Sequence, residues 1–527
     1  MLKACLILFM MLPALFWAQG LEPTIPGDPV QDDNYEDSEG FNYGMSGVVG
    51  AINIGDETYS QFRLRPEISL GKFGFGLDID LLITSDGEIR KEDWQDWEDY
   101  VNKIFFVRWA NRSDPFYFKA GGISSYTLGH GLIFDHFSNV LRYPEVKNVG
   151  GYVGLNLPYA GAGFEFFTHN IYKNEVIAGR IHADPFYYTK VPILEKLKLG
   201  INIGTDRNQY GKYPDKDGDG YPDVYDKFPS NPDQYRDTDD DGIADNVDTD
   251  INGTGLIDHP SVNDYVAQTY PGITAGADST DFNWLVYRDE AQKYSGNKDI
   301  NIFSVDYILP LIETPLFNLD HYGEYAIIDK YGHGVIFPGF SSRFSIFDVK
   351  FEFRSFSDEF LPGYFDRLYE ENRAQVSVEQ TDRFRTYSLT TKEEVLAAAQ
   401  NALGWFSFLR ANVMDLGYIK VAFQDMYGED MNTGKSLWAN VTANPHNVMR
   451  LKEASISYSQ AYVPYLDFGK LRTSNATISG RLVYNISETA DLVGRYNEMY
   501  VDTNRDGKIK GNSEVISSFA LSVEFTF

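Results

Sequence analysis

The sequence predicts an all-β protein, a transmembrane antiparallel β-barrel of about 18 strands with long extracellular loops. Three observations predict it. Long segments alternate between apolar and polar side chains, residue by residue. The chain opens on an export leader and afterwards holds no apolar run long enough for a helical membrane span. Its last strand closes on an aromatic residue at the C-terminus.

The alternation is clearest from Lys72 to Thr84, where Phe73, Phe75, Leu77, Ile79, Leu81 and Ile83 share one face and Lys72, Gly74, Gly76, Asp78 and Asp80 the other. Leu197, Leu199, Ile201 and Ile203 alternate with Lys196, Lys198, Gly200 and Asn202, and Val349, Phe351 and Phe353 with Lys350, Glu352 and Arg354. Phe62, Leu64, Ile68 and Leu70 oppose Arg63, Arg65, Glu67 and Ser69, a ladder interrupted by Pro66, which has no N–H to pair. A soluble sandwich alternates too, but its strands usually run to about five or six residues, whereas crossing a bilayer at a tilt takes about nine to eleven. With lipid on the apolar side, the expected lumen-facing charges are Arg63, Arg65, Asp78, Asp80, Lys119, Lys350, Glu352 and Arg354.

The leader places Lys3 before an apolar run from Ala4 to Trp17 and ends at Ala18, the layout of a secretory signal peptide over residues 1–18. An acidic segment, 19–41, then leads into the barrel, 42–527. The single cysteine, Cys5, lies in the leader, so the mature chain has no disulfide framework, thiolate metal site or cysteine nucleophile.

At the other end, Phe519, Leu521, Val523, Phe525 and Phe527 alternate with Ser518, Ala520, Ser522, Glu524 and Thr526. This resembles the C-terminal signal of outer-membrane proteins. The resemblance implies a place in the bacterial outer membrane, capture by the assembly machinery through the last strand, and contact with outer-membrane lipid and lipopolysaccharide.

Tight turns are expected near Gly71, Ser113-Asp114, Pro158-Tyr159, Glu313-Thr314, Ser342 and Met414-Asp415. The longer polar stretches between them, Ser85–Val101, Ser124–Lys147, Asn208–Asn297, Ser357–Ala402, Tyr427–Asn447 and Glu488–Glu514, read as outer loops. Asp491 to Val501 could form a further strand but is assigned to a loop, which keeps the count even. Trp94, Trp97 and Tyr100 suggest a short helix in the first of these loops, and the capping box Thr391-Lys392-Glu393-Glu394 opens another through Ala398. Both are expected to be exposed rather than folded into the lumen.

The third loop carries an Asp-rich insertion, residues 212–260. In DKDGDGYPD, the oxygen donors Asp215, Asp217, Asp219 and Asp223 occupy positions 1, 3, 5 and 9, Gly220 position 6 and Asp226 position 12. Tyr221, at position 7, offers its backbone carbonyl. This spacing wraps a short loop around a hard cation such as Ca2+. DTDDDGIAD repeats it with Asp237, Asp239, Asp241, Asp245 and Asp248, Gly242 at position 6 and the Ile243 carbonyl at position 7. A third copy offers Asp250, Asn252, Thr254 and Asp258 but has Ser261 at position 12, and a weaker match supplies Asp502, Asn504 and Asp506. From Lys212 to Asp258 there are 14 Asp against 4 Lys or Arg, a density that repels itself unless a cation balances it. The repeats resemble thrombospondin type 3 repeats, which implies bound calcium and a stiffened spacer or display element on the cell surface.

A net charge of −30 argues against nucleic acid as a partner. No HExxH, GxSxG, phosphate-loop or dinucleotide pattern is present, so the chain is not expected to be an enzyme. Two readings lead: a porin-like or transport channel, and a surface protein that uses the calcium repeats for display or adhesion. An outer-membrane hydrolase is a third and weaker one.

Overall fold

The computed structural model describes residues 41–54, 57–95, 97–140, 148–248, 288–294, 298–380, 384–428, 434–445, 450–463, 465–466, 472–473, 476–487, 490–500, 509 and 515–526. The leader, the third and fourth Asp motifs (Asp250, Asn252, Thr254, Asp258; Asp502, Asn504, Asp506) and Phe527 lie outside them.

The strands begin with β1 (Phe41–Ile54), β2 (Glu57–Leu70), β3 (Phe73–Leu77), β4 (Ile79–Ile83), β5 (Ile104–Trp109), β6 (Phe116–Gly121), β7 (Phe134–Asp135), β8 (Gly150–Asn156) and β9 (Gly163–Thr168). They continue as β10 (Val176–Ala183), β11 (Lys198–Asp206), β12 (Arg288–Ala291), β13 (Ile300–Glu313), β14 (Phe317–Ile328), β15 (His333–Phe344), β16 (Phe347–Phe356), β17 (Phe365–Asp366), β18 (Ala374–Gln380) and β19 (Phe384–Thr391). The last seven are β20 (Ala402–Asn412), β21 (Gly417–Tyr427), β22 (Lys435–Ala443), β23 (Leu451–Val463), β24 (Ala476–Ser487), β25 (Ala490–Tyr500) and β26 (Val515–Thr526).

The chain divides into two compact units, one of Met1–Asp206, Ile300–Tyr369 and Leu396–Phe527, the other of Arg207–Asp299 and Glu370–Val395. The first is a closed antiparallel barrel. Its strands pair in chain order, and the ring closes where β26 meets β1, with Val49 opposite Val523. β3 and β4 lie end to end along β2, with Leu70 opposite Phe73 and Leu64 opposite Ile79. The break between them falls at Asp78, alongside Pro66, where β2 has no N–H to donate.

Counting β3 and β4 as one position, the barrel has 20 strands rather than about 18. The two added strands, β22 and β25, lie in stretches that read as loops, Tyr427–Asn447 and Glu488–Glu514. In β22 the apolar Trp438 falls on the polar face formed by Ser436, Asn440 and Thr442, and in β25 Leu492 and Val493 stand side by side, so each alternation is interrupted. The turn expected near Ser342 forms three residues later, at Ser345-Ile346, with Ser342 inside β15.

Apolar side chains face out of this barrel and polar ones face in. Ile201 is 63% exposed and its neighbour Asn202 1%. Phe62, Leu64, Leu199, Val305, Val349, Phe353 and Leu409 are exposed in the same way, while Asp78, Asp80, Ser304, Asp306, Glu324 and Glu352 are buried. A barrel in water shows the reverse, so the exterior is a surface made for lipid.

Strand length departs from expectation on one side. β1, β2 and β13 each run to 14 residues, but β5, β6 and β9 have only 6 and β8 has 7. There the segment after β6 continues the wall's hydrogen bonding: Gly122 N–H donates to the Phe105 carbonyl, and Ile171 N–H to that of Val149.

The segment 122–140 turns into the barrel and builds its core. Tyr126, Leu128, Leu132, Ile133, Phe134 and Phe137 pack against inward wall residues Phe167, Val176, Ala178, Ile302, Tyr322 and Ala326, and against Phe360, Tyr364 and Phe365 from the segment after β16. The two segments meet in a short parallel bridge, Phe134 opposite Phe365 and Asp135 opposite Asp366.

Trp97 and Tyr100 stay exposed on a short helix, Trp97–Val101, and the helix Lys392–Val395 runs on as a 3-10 turn through Ala398. In the second unit β12 pairs parallel with β19, and β19 antiparallel with β18.

Candidate functional site

Two groups of residues carry chemistry, one inside the barrel and one in the Asp-rich insertion.

Inside the barrel, buried carboxylates on the wall hold the inward segment. Glu324 Oε2 accepts from the backbone N–H of His130 at 2.8 Å and of Leu132 at 3.3 Å, and Oε1 accepts from the Ser304 hydroxyl at 2.7 Å. The His130 ring lies against Tyr322, with centroids 4.4 Å apart, and its Nε2 donates to the Tyr307 carbonyl at 3.0 Å. Glu165 accepts from Tyr126 at 2.9 Å and Tyr117 at 2.5 Å, and takes a bidentate pair from Arg112 at 2.5 and 2.8 Å. Each carboxylate is surrounded by donors, which lets a charge sit in a confined interior. Tyr126 stacks on Phe167 at 4.0 Å and Phe134 on Phe365 at 4.4 Å. Gly204 makes room for this packing, because a Cβ there would meet the Phe134 ring at 2.7 Å.

The expected lumen charges all face inward, as a group of four (Arg63, Arg65, Asp78 and Asp80), a pair (Glu352 and Arg354) and two lysines. Arg63 grips Asp78 with bonds of 2.8 to 3.1 Å, Arg65 reaches the same carboxylate at 3.2 Å, and Gln61 binds Asp80 at 2.9 and 3.1 Å. Arg354 Nε donates to Glu352 at 2.8 Å, and Tyr322 donates to the same carboxylate at 2.6 Å. Lys119 is buried and Lys350 half-buried. Sequence reasoning missed Arg112–Glu165, Arg180–Asp306 and Glu324, whose partners lie far apart in the chain. It also missed the inward turn of 122–140, although GLIFDHF is unusually apolar for an outer loop.

In the insertion, the first two Asp motifs adopt the same local geometry. Carboxylate oxygens of Asp215, Asp217 and Asp219 lie within 4.8 Å of one another, and so do those of Asp237, Asp239 and Asp241. Position 1 accepts from the N–H of position 6 at 2.9 Å in both loops (Asp215 from Gly220, Asp237 from Gly242). Position 9 accepts from the N–H of position 2 at 2.9 and 2.8 Å (Asp223 from Lys216, Asp245 from Thr238). The position-6 glycines have φ of +94° and +89°, a conformation that side chains resist. Tyr221 and Tyr235 stack at 3.7 Å, and Tyr225 packs on Tyr387 at 5.8 Å.

A hard cation fits this donor set. Asp217 Oδ2 and Asp226 Oδ2 are buried with no hydrogen-bond partner among the described residues. Desolvation pushes the Asp226 carboxyl up to about 6, against the Phe228 N–H that stabilises its charge and together with repulsion from Asp219, Asp217 and Asp223. Asp219 and Asp239 are raised in the same way, by desolvation first.

The pairing and the outward apolar face define the class: an outer-membrane-type transmembrane β-barrel. No protein-family model and no curated protein matches the chain. Solved structures similar to it include the siderophore receptor PirA from Acinetobacter baumannii, at 8% identity and a TM-score of 0.35, covering 94% of this chain and 81% of that one. Pseudomonas aeruginosa OccK2, in complex with glucuronate, matches at 9% and 0.31, covering 93% and 99%, and OccD3 of the same organism at 8% and 0.33, covering 98% of both. The class rests on the chain's own ladder and faces.

Phe134→Ala is expected to cost about 3–5 kcal/mol of local packing. Limited proteolysis of the folded barrel should then cut within 122–140 about a hundredfold faster than in the parent protein; unchanged cleavage would contradict the packing described.

Proposed function

We propose that the protein is an outer-membrane transport channel whose lumen is narrowed from within by the segment 122–140. The observation that carries this reading is the inversion of faces, with charged, hydrogen-bonded walls inside and apolar side chains outside. The ion-paired lumen residues Arg63, Arg65, Asp78, Glu352 and Arg354 supply charge that tunes which solutes pass. In planar bilayers the refolded protein is expected to give discrete conductance steps, small for a barrel of 20 strands because of the filled interior. Steps should grow in a variant lacking 124–138, whereas a silent protein in both forms would remove the channel reading.

The second part of the proposal is calcium in the Asp-rich insertion, with the insertion on the extracellular side. It is supported by the repeated carboxylate geometry and by the orphaned oxygens of Asp217 and Asp226. Within the barrel, β11, after which the insertion follows in the chain, ends on the side opposite the last residues of β26. Display of a calcium-stiffened element on the cell surface is the alternative use of the same repeats. Loss of cell-surface binding with unchanged conductance, on deleting 213–259, would favour display.

The raised Asp226 carboxyl fixes the sign of the pH dependence. Without metal, its favourable protonated form contributes stability that is fully present below the ordinary 3.8 and lost as pH rises through about 6. A divalent cation stabilises the ionised form instead, so calcium affinity should fall as pH drops below about 6. At neutral pH, chelation should speed proteolysis between Gly211 and Pro260 and leave the barrel intact. Equal cleavage with and without calcium would count against ordered repeats.

A further inference from the structure

The two Asp loops differ in what they rest on. The first is seated on the small sheet of the second unit, in which β12 pairs with β19 from Arg288 opposite Phe384 to Ala291 opposite Tyr387. Tyr294 N–H donates to the Gly220 carbonyl at 2.7 Å, and the Tyr225 hydroxyl donates to the Gln292 carbonyl at 3.0 Å. A Cβ at Gly220 would meet Lys293 Cε and the Tyr294 carbonyl at 2.8 Å, so glycine is what admits so close a seat. Tyr225 is buried, and its ring packs on Tyr387. The second loop has no such seat at the matching position: nothing lies within 4 Å of a Cβ placed on Gly242.

The segment that receives the first loop is itself tied to β19. Gln292 N–H donates to the Tyr387 carbonyl at 2.9 Å, and the Tyr294 hydroxyl donates to the Leu389 carbonyl at 3.0 Å. One run, Gly220 to Asp226, therefore carries two sets of attachments. Tyr221, Asp223 and Asp226 are cation donors by their position in the motif, while Gly220 and Tyr225 hold residues 292–294. Without a cation the carboxylates of Asp215, Asp217, Asp219, Asp223 and Asp226 repel one another, and the buried Oδ2 atoms of Asp217 and Asp226 have no hydrogen bond to offset that cost. A loop that opens to relieve it carries Gly220 and Tyr225 off their partners.

We infer that the first Asp loop is a cation-dependent clamp on the small sheet, ordering through residues 292–294 a strand, β19, that has no acidic side chain of its own. This rests on the calcium reading of the insertion and gives the first loop a task apart from spacing or display. The second loop, lacking the seat at Gly242, does not share it.

The test is hydrogen exchange read by mass spectrometry on the full-length protein in detergent, with calcium uptake followed in parallel by calorimetric titration. At calcium just sufficient to saturate the parent protein, the amides of 384–391 are expected to be protected, and chelation should speed their exchange about tenfold or more. Asp215→Asn should speed it similarly in the same calcium, whereas Asp237→Asn, the matching change in the second loop, should leave it within about twofold of the parent. Heat-dependent gel migration verifies that each variant keeps a folded barrel. Exchange at 384–391 that ignores chelation or Asp215→Asn while the parent takes up calcium would overturn the clamp and leave the calcium reading standing. Equal loosening by the two substitutions would overturn it as well. Absence of calcium uptake would remove the calcium reading and the clamp together.

Discussion

A closed ladder leaves no strand edge, and in lipid that closure decides where every other group can go. Once β26 pairs with β1 the ring has no terminal strand, and the exterior is free to be apolar. The side-chain alternation then sends every second residue inward, and the polar half of the sequence is confined to the lumen. Charges placed there lose much of their water. Asp78 with Arg63, Glu165 with Arg112, Asp306 with Arg180 and Glu352 with Arg354 are what that confinement produces.

The same closure shapes the interior core. Twenty strands enclose more space than wall side chains fill, and the chain uses its own segment 122–140 to occupy part of it. That segment brings aromatic rings, and the wall receives them with Gly204, Phe167 and small or aliphatic residues. It also brings backbone N–H groups, which Glu324 accepts. The ion pairs at Arg112 and Arg180 are parts of the wall as well.

What could be read from the sequence follows from range. Period-two segments such as Lys72–Thr84 are local signals and read correctly, as does the turn at Gly71; a helix does begin at Lys392, but the Thr391 hydroxyl makes no capping hydrogen bond to it. The Asp motifs are also local, since spacing alone determines which carboxylates converge, and Asp215 to Asp219 converge as the spacing implies. β22 and β25 were harder to read because Trp438 and the Leu492-Val493 pair interrupt their alternation, and their pairing with β21, β23, β24 and β26 is not a local signal. The inward segment was illegible for a similar reason: GLIFDHF declares an apolar surface but does not say that the covering partner is Phe365, more than two hundred residues away.

The direction of the faces is most directly tested by cysteine scanning, which the chain permits because Cys5 is its one cysteine and can be replaced by serine. Single cysteines at each position from Leu199 to Thr205 of β11, carrying an environment-sensitive fluorophore in reconstituted vesicles, report contact with a lipid-phase quencher. Quenching is predicted at Leu199, Ile201 and Ile203 and protection at Gly200, Asn202 and Gly204. Quenching at the second set, or no alternation at all, would contradict an exterior made for lipid.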